Sequence, residues 1–528
     1  MDTRRLIEEL TRPEAYPHTT QDVQVRQTHI SVVFLAGAFA YKVKKPLDLG
    51  FLDFTSPAKR LHFCREEVRL NRRLAPEVYL GVVPITEGEE GLRVEGSGET
   101  VEHAVKMRRL PPDATLRARL LRDELTPEVL RTLAGRIARF HDEAESGPRI
   151  AEQARWEVVA ENARENLRRA QDQVGLTLSR AVLDRLEGAL EVHLEGLRPL
   201  IERRAERGVP RDTHGDLHLD HVYLFPEQPV PRDLVIIDCI EFSERFRHAD
   251  PVSDAAFLAM DLIHLGRRDL ERTFSAAYFQ ASEDEEGRSL LPFYRSYRAA
   301  VRGKVEGLAA TEEEIPTDER EEATRSARGH WGLALTELEP ASRRPGLVLV
   351  SGLPGSGKST IAEGLAHTCG FGVISSDRMR KRLAGIPEDT PAPASFGEGI
   401  YGPDWTERTY ARCLEEARKA LFEGERVLID ATFREEEARR AFLATAREHG
   451  VRALLVRCEA NPEVIRGRME GRGGPSDADW QIHREVAARW EPLSTETERA
   501  ATKVRTDTTR EEATADAVAQ LRLAGLAE

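Results

Sequence analysis

The sequence has no cysteine framework. Its five cysteines, Cys64, Cys239, Cys369, Cys413 and Cys458, are odd in number, scattered, and never form a CxxC pair. That pattern excludes a disulfide scaffold and argues against a structural zinc site, which needs closely spaced thiolates. No stretch approaches the ~18 consecutive apolar residues of a membrane span. The opening MDTRRLIEELTRPEAYP puts charges where a signal peptide keeps its apolar core. The expected compartment is the cytoplasm, with no membrane partner. Net positive charge is also missing: 77 Lys and Arg against 91 Asp and Glu leave −14. The broad basic face that sequence-independent duplex binding requires is therefore not expected. No internal repeat or low-complexity tract occurs. What is present, 40% hydrophobic and 32% charged residues over 528 positions, excludes wholesale disorder and implies at least two globular domains.

The clearest change in composition falls between about residues 308 and 346. TEEEIPTDEREEATRSARG is dense in charge, WGLALTELEP reads as a short helix, and ASRRPG is rich in turn formers. Pro345-Gly346 cannot continue a helix. The chain is thus expected to divide into a domain over 1–310, a charged linker with a short helix over 311–345, and a domain over 346–528. In the first, HISVVFLAGAFAYKVKK predicts two strands joined around Ala36-Gly37. SPAKRLHFCREEVRLNRRLAP predicts a helix, with Leu61, Cys64, Val68 and Leu74 at helical spacing and Pro76 ending it. From about 115 to 205 the pattern is helical almost throughout. A strand-rich part over about 25–105 and a helical part over about 110–310 make two lobes of an α+β domain. The last domain alternates strands (347–351, 371–375, 426–430, 452–457, 503–506) with helices (359–368, 404–422, 434–448). That alternation predicts α/β architecture, a parallel sheet covered on both faces.

Gly352-Leu353-Pro354-Gly355-Ser356-Gly357-Lys358-Ser359 fits GxxxxGK[ST] at every required position, between the apolar LVLVS and an alanine-rich helix. Backbone N–H groups around Gly352, Gly355, Ser356 and Gly357 would converge on phosphate oxygens, with Lys358 at the β and γ phosphates. Ser359 would ligate Mg²⁺, and Thr360 beside it belongs to the same cofactor-binding set. The implied cofactors are ATP and Mg²⁺. RVLID ends in Asp430, where a metal-side carboxylate belongs. Asp377 and Arg380 follow the second strand, at the carboxyl edge where open α/β sheets bind ligands. There Asp377 would take the proton of an acceptor hydroxyl and Arg380 would hold a substrate anion. Arg466, Arg468 and Arg472 follow the helix start Asn461-Pro462, and Gly471, Gly473 and Gly474 loosen the chain. These suit a lid that brings Arg466 to the substrate and Arg472 to the transferring phosphate. Plainer readings stand beside these: a capping Asp430, an Asp377–Arg380 loop ion pair, a solvated arginine face.

GLPGSGKST, SSDRMRKRL, VLIDATF and VRCEANPEVIRGRMEGR together resemble P-loop small-molecule kinases of the zeta-toxin, gluconate-kinase and polynucleotide 5′-kinase type, over most of 346–472. The resemblance implies Asp377 as base and Arg380 as the acceptor's anion ligand. It implies no particular acceptor, because that group spans sugars, nucleotides and nucleic-acid ends.

A second constellation lies upstream. His214-Gly215-Asp216-Leu217-His218 precedes the strand HVYLF, and Leu234-Val235-Ile236-Ile237-Asp238 is a buried strand ending in a carboxylate. This two-carboxylate layout suits phosphoryl transfer, with Asp216 receiving the proton and Asp238 holding Mg²⁺. Ala40-Tyr41-Lys42 fits the A-x-K lysine, with Glu66 or Glu67 as its partner and Lys44 as a rival. VKMRRL at 105–110 reads as the hinge where the backbone near Met107 meets adenine. With SDAAFLAMDL, these stretches resemble the aminoglycoside phosphotransferase family, small-molecule relatives of protein kinases, over about 25–310. The resemblance implies a bilobal kinase-like fold, Asp216 as base and Asp238 as metal ligand. Two departures stand out. The family has Asn five residues after the catalytic Asp, where this chain has His221 with Asp220 beside it. Neutral imidazole is a poor ligand for hard Mg²⁺. The glycine-rich phosphate flap is also missing, with LAGA as a short substitute.

The whole resembles bacterial fusions of an aminoglycoside-phosphotransferase-like half with a P-loop half. The expected function is a bifunctional, ATP- and Mg²⁺-dependent phosphotransferase acting on small hydroxylated molecules, with the active site of the P-loop half the better marked of the two. Two alternatives remain: a silent first half that regulates the second, and a nucleic-acid 5′-end kinase. Few aromatics weigh against the latter, while Arg378, Arg380, Lys381 and Arg382 form a small cationic cluster that speaks for it. Glu241, Glu244, Asp250 and Asp254 suit a polycationic acceptor or a structural charge network equally well.

Overall fold

The structure is a computed structural model and describes residues 2–50, 52–312, 315–387, 390, 398–470 and 480–528. Two compact units form. One comprises Met1–Ala160, Leu197–Ile263 and Arg267–Tyr294; the other comprises Glu161–Gly196, His264–Gly266 and Arg295–Glu528.

The first unit opens on a six-stranded antiparallel sheet. Its order is Val23–Gln27, Ser31–Ala36, Phe39–Lys44, Glu99–Arg108, Tyr79–Gly88, Gly91–Val94. The predicted hairpin pairs Ser31 with Lys44 through Ala36 with Phe39, and its two-residue turn places Gly37 at φ 57°. Strand alternation then sorts the side chains. Tyr41 and Val43 join Val32 and Phe34 in one apolar cluster, while Ala40 packs with Cys64, Val68 and Met107 in another. Lys42 and Lys44 share the Ala40 face, which the helix Pro57–Asn71 covers. Ser56 caps that helix by accepting the Lys59 N–H at 3.3 Å. The helix stops at Asn71 rather than Pro76, so Leu74 lies beyond it in a turn where the Leu74 and Ala75 N–H groups both donate to the Asn71 carbonyl. A helical part follows, built on Pro127–Glu143, Arg268–Ser282 and the helix Val252–His264, whose residues 252–263 are all buried.

In the second unit five parallel strands lie in the order Gly372–Ser375, Arg426–Asp430, Gly346–Ser351, Arg452–Glu459, Ala501–Arg505. Gly346–Ser351 is central and buried along its whole length, which is why it reads as an unbroken apolar run. Val348 and Val350 pack with Ile361, Leu365 and Leu521 on one face; Leu347 and Leu349 pack with Cys413, Ala417 and Phe442 on the other. The segment 311–345 was expected to be a linker with a short helix. It carries instead a 22-residue helix, Thr317–Leu338. Its charged first half is mostly solvent-facing, and its second half buries Trp331, Leu333, Leu335 and Leu338, with Trp331 Nε1 donating to Gln173 Oε1 at 3.2 Å. Charge density signalled one flank of a helix, not a break in the fold. Among the described residues no helix is long and apolar enough to cross a membrane.

Candidate functional site

The first unit gathers its charges beneath the strand Phe39–Lys44. Lys42 Nζ lies 2.6 Å from Asp238 Oδ1 and 3.0 Å from Glu67 Oε1. Lys44 Nζ lies 2.7 Å from Glu67 Oε2 and also pairs with Glu241. Glu67 therefore bridges both lysines, while Glu66 turns outward to Arg69, 2.8 Å away. Burial pushes the Glu67 carboxyl up, but Lys42 and Lys44 outweigh it and hold the group below the usual carboxylate range. Asp238 behaves likewise, with Lys42 and then His221 overcoming burial. At Glu241 burial wins over Lys44 and the group is raised. Asp238 has φ 66°, uncommon for a non-glycine residue, and its N–H donates to Tyr79 Oη at 3.1 Å. Met107 is buried in the strand Glu99–Arg108, in register with Ala40 and Tyr79.

The HGD loop is clamped from a distant helix. Both carboxylate oxygens of Asp254 accept backbone hydrogen bonds, from His214 N–H at 2.6 Å and Gly215 N–H at 2.9 Å. His214 accepts the Asp216 N–H at Nδ1, 3.2 Å away, so its Nε2–H donates to the Ile237 carbonyl at 2.9 Å. Burial lowers the His214 pKa to about 4, so the ring is a neutral strut between loop and strand. Asp216 Oδ2 faces His218 Nε2 and His221 Nδ1, each at 3.6 Å, and His221 Nε2 lies 3.5 Å from Asp238 Oδ2. Burial, with His218 adding, lowers the His221 pKa. Asp220 faces Arg117 and His218. The other acidic residues considered for a polycationic acceptor are engaged too: Glu241 with Lys44, Asp250 with Arg204, Asp254 with the loop and Glu244 with Arg149. Of the two readings open to Asp254, this clamp is the structural one. Asp216 and Asp238 supply oxygen, but the imidazoles of His218 and His221 stand with them, and this mixed set does not fit the Mg²⁺ expected there.

In the second unit the glycine loop leaves the central strand where neighbouring strands run off to either side, the switch point of the sheet. Gly355 has φ 80°, and a Cβ there would come 2.9 Å from Ile465 Cγ2 and Met469 Cε. Gly352 is as tightly placed: a Cβ would meet the Cys458 carbonyl at 2.7 Å. Gly357 caps the helix Lys358–Cys369, so Lys358, Ser359 and Thr360 form its first turn. Ser356 N–H donates to the Leu353 carbonyl at 3.1 Å, and its own carbonyl accepts Thr506 Oγ1 at 2.7 Å. Lys358 Nζ donates to the Leu353 carbonyl at 3.0 Å. Ser359 Oγ donates to Asp430 Oδ2 at 2.8 Å, so the two metal-ligand candidates, 71 positions apart, meet. Both offer oxygen, the donor Mg²⁺ prefers, and so they fit that ion. Burial raises the Asp430 pKa against the opposing influence of Lys358 and Ser359, with Asp377 near enough to add to the rise.

Asp377 accepts Tyr401 Oη at 3.2 Å and lies 3.5 Å from Lys381 Nζ. Arg380 is buried; its Nη1 donates to the Ile400 carbonyl at 2.8 Å and Thr406 Oγ1 at 3.2 Å, under the Tyr401 ring. Arg466 stacks over Trp480, 4.7 Å from the ring centroid. Arg468 donates to the Thr506 carbonyl beside Gly357. Arg472 and its neighbouring glycines lie outside the described residues. Tyr401, Thr506 and His483, whose Nδ1 is 2.8 Å from the Pro354 carbonyl, carried no signal in the sequence because each acts only through tertiary contact.

Residues 51–294 match the model of the phosphotransferase enzyme family, and residues 347–495 match that of the AAA domain. The chain joins a domain of the phosphotransferase enzyme family to a P-loop AAA domain, the fold class expected. It belongs to the same family as uncharacterized proteins of Mycobacterium tuberculosis and Mycobacterium bovis, each 34% identical over 478 residues, 90% of this chain and 92% of theirs. Similar solved structures include a sugar kinase from Janibacter sp., with 19% identity and a TM-score of 0.27 over 35% of this chain and 98% of that one. A gluconokinase from Sinorhizobium meliloti gives 23% identity and a TM-score of 0.27, over 34% and 95%.

Proposed function

We propose that this protein is a cytoplasmic, ATP-dependent phosphotransferase acting on small hydroxylated molecules, with the P-loop site its main active site. The observation that carries the reading is the meeting of Ser359 and Asp430 at the mouth of the glycine loop, on the sheet edge that also bears Asp377. Backbone N–H groups of residues 352–358 bind the phosphates, and Lys358 exchanges the Leu353 carbonyl for a phosphate oxygen. Mg²⁺, held by Ser359 and Asp430, would neutralise charge on the phosphates when bound. Asp377 receives the acceptor's proton, oriented by Tyr401 and Lys381. Arg380 fixes the segment at 400–406 through Nη1 against the helix that carries Asp377, and is assigned to the acceptor's anion. Arg466 and Arg472 are assigned to the closing lid, Arg472 from sequence alone. In the first unit Lys42, Glu67 and the backbone near Met107 would hold a second nucleotide, with Asp216 as base and Asp238 as the carboxylate facing it.

The mixed donors around His221 favour a second reading, in which the first unit binds nucleotide or ligand without turnover and regulates the P-loop site. A 5′-end kinase is disfavoured, because burial of Arg380 and Lys381 breaks up the cationic cluster. The test is mass spectrometry of products formed by the full chain from ATP and a metabolite extract. Asp377→Asn removes the main phosphorylated product. Asp216→Asn removes a second product if the first unit is a catalyst and none if it is silent. A product profile unaltered in Asp377→Asn defeats the proposal.

A further inference from the structure

The donors around Asp216 depart from a hard-cation site in a definite direction. Asp216, His218 and His221 each place a ligand atom within 4.8 Å of the others. Of the nitrogens left to ligate, His218 Nε2 lies 3.6 Å from Asp216 Oδ2, and His221 Nε2 lies 3.5 Å from Asp238 Oδ2, which stands beside the cluster. Ligands at ~2.1 Å around a tetrahedral ion stand about 3.4 Å apart. Around an octahedral Mg²⁺ at a similar distance they stand about 3.0 Å apart. The 3.6 Å spacing of His218 and Asp216 is closer to the tetrahedral edge, and two of the three clustered donors are nitrogen, which Zn²⁺ and its neighbours accept and Mg²⁺ does not.

The rings are also held as metal-binding imidazoles are. His221 Nδ1 lies 2.9 Å from the Asp216 carbonyl, which can only accept, so Nδ1 carries the proton and the Nε2 lone pair is left toward Asp238. A backbone carbonyl on the far nitrogen is the usual device for fixing a ligating histidine's tautomer and orientation. The turn Leu219–His221 that carries this ring is itself anchored, with Leu219 N–H donating to Asp261 Oδ2 at 3.0 Å. The His218 and His221 rings are 3.8 Å apart, and both side chains are largely buried. Asp238 gives Oδ1 to Lys42 and turns Oδ2 to His221, so one carboxylate links the lysine to the cluster.

We propose that the first unit binds a single divalent ion of the Zn²⁺ class, with His218 and His221 as nitrogen ligands and Asp216 as oxygen ligand, in place of Mg²⁺. This deepens the reading of that unit as a phosphate-handling site, but its test needs neither ATP nor turnover, so the two fail separately. Full-length protein stripped by a chelator, without nucleotide, is titrated with Co²⁺ and followed by visible absorption, then challenged with Zn²⁺ or Mg²⁺. The expected result is one equivalent of Co²⁺ giving a visible band that Zn²⁺ displaces and excess Mg²⁺ does not. His218→Gln and His221→Asn should each weaken Co²⁺ binding by at least ~10-fold, the smallest loss usual even for a second-shell change. Asp430→Asn, in the other unit, should leave the band intact. A missing band, a band unaltered in both histidine variants, or displacement by equimolar Mg²⁺ overturns the proposal. Circular dichroism verifies that the variants fold. If they do not, X-ray absorption of the Zn²⁺-loaded parent decides: imidazole outer-shell scattering supports the site and its absence overturns it.

Discussion

Replacing Lys44 by methionine tests the buried charge network beneath the first sheet. The Lys44 side chain is fully buried and pairs with Glu67 at 2.7 Å and with Glu241. In the variant Glu67 keeps Lys42 at 3.0 Å, so Glu241, already raised by burial, becomes the orphan. A buried carboxylate without a partner takes up a proton, and the free energy of that uptake limits the penalty. With an unfolded-state value near ~4.3, protonation requires about 3.7 kcal/mol at pH 7 and about 1 kcal/mol at pH 5. The first figure falls within the ~3–5 kcal/mol usual for breaking a buried pair. Because Glu241 holds its proton more tightly folded than unfolded, its contribution is fully present at low pH and is lost as pH rises through the folded-state pKa. The deficit of Lys44→Met against the parent should therefore widen by as much as ~2.7 kcal/mol between pH 5 and pH 7. With two compact units, one global unfolding free energy is not defined. Hydrogen exchange of the strands Phe39–Lys44 and Glu99–Arg108 reads the opening free energy locally. A deficit equal at the two pH values, or below about 1 kcal/mol at pH 7, refutes the orphaned-carboxylate argument.

Gly355→Ala forces a Cβ into a left-handed position 2.9 Å from Ile465 and Met469, a strain of ~1–2 kcal/mol before the clash. Weaker binding of an ATP analogue by calorimetry is expected, and unchanged affinity counts against the loop geometry. Asp254→Ala removes two charge-assisted caps on the HGD loop, each worth ~1.5–3 kcal/mol. Faster hydrogen exchange across 212–221 should follow, and no change would show the clamp to be idle. Tyr401→Phe deletes one hydrogen bond to Asp377. It should lower kcat by about tenfold, the equivalent of ~1.4 kcal/mol, with analogue affinity kept. An equal loss of affinity would place Tyr401 in nucleotide binding instead.

Legibility in the sequence followed the range of the forces at work. The glycine loop, the strand ends at Asp430 and Asp238, and the alternation of the parallel sheet are local signals, and their elements stand within a few residues of where spacing put them. Glu67 was partly legible: Cys64 and Val68 face the sheet, and a residue three after Cys64 shares that face, whereas Glu66 is rotated away. The Asp254 clamp, the Glu241–Lys44 pair and the Thr506–Ser356 bond span 39 to 197 positions, and no periodicity announces them. The long helix Thr317–Leu338 reads as a linker because its solvent-facing half has a linker's composition. Only its buried half, around Trp331, betrays packing.

The account rests on triphosphate being held by the backbone amides and lysine of the loop at 352–358. Calorimetric titration of the full chain with a non-hydrolysable ATP analogue and Mg²⁺, parent against Lys358→Ala, tests this most directly. The account predicts that the variant loses one equivalent of bound analogue, or that its affinity there falls by at least ~100-fold, about 2.7 kcal/mol. Binding identical in stoichiometry and affinity would contradict it.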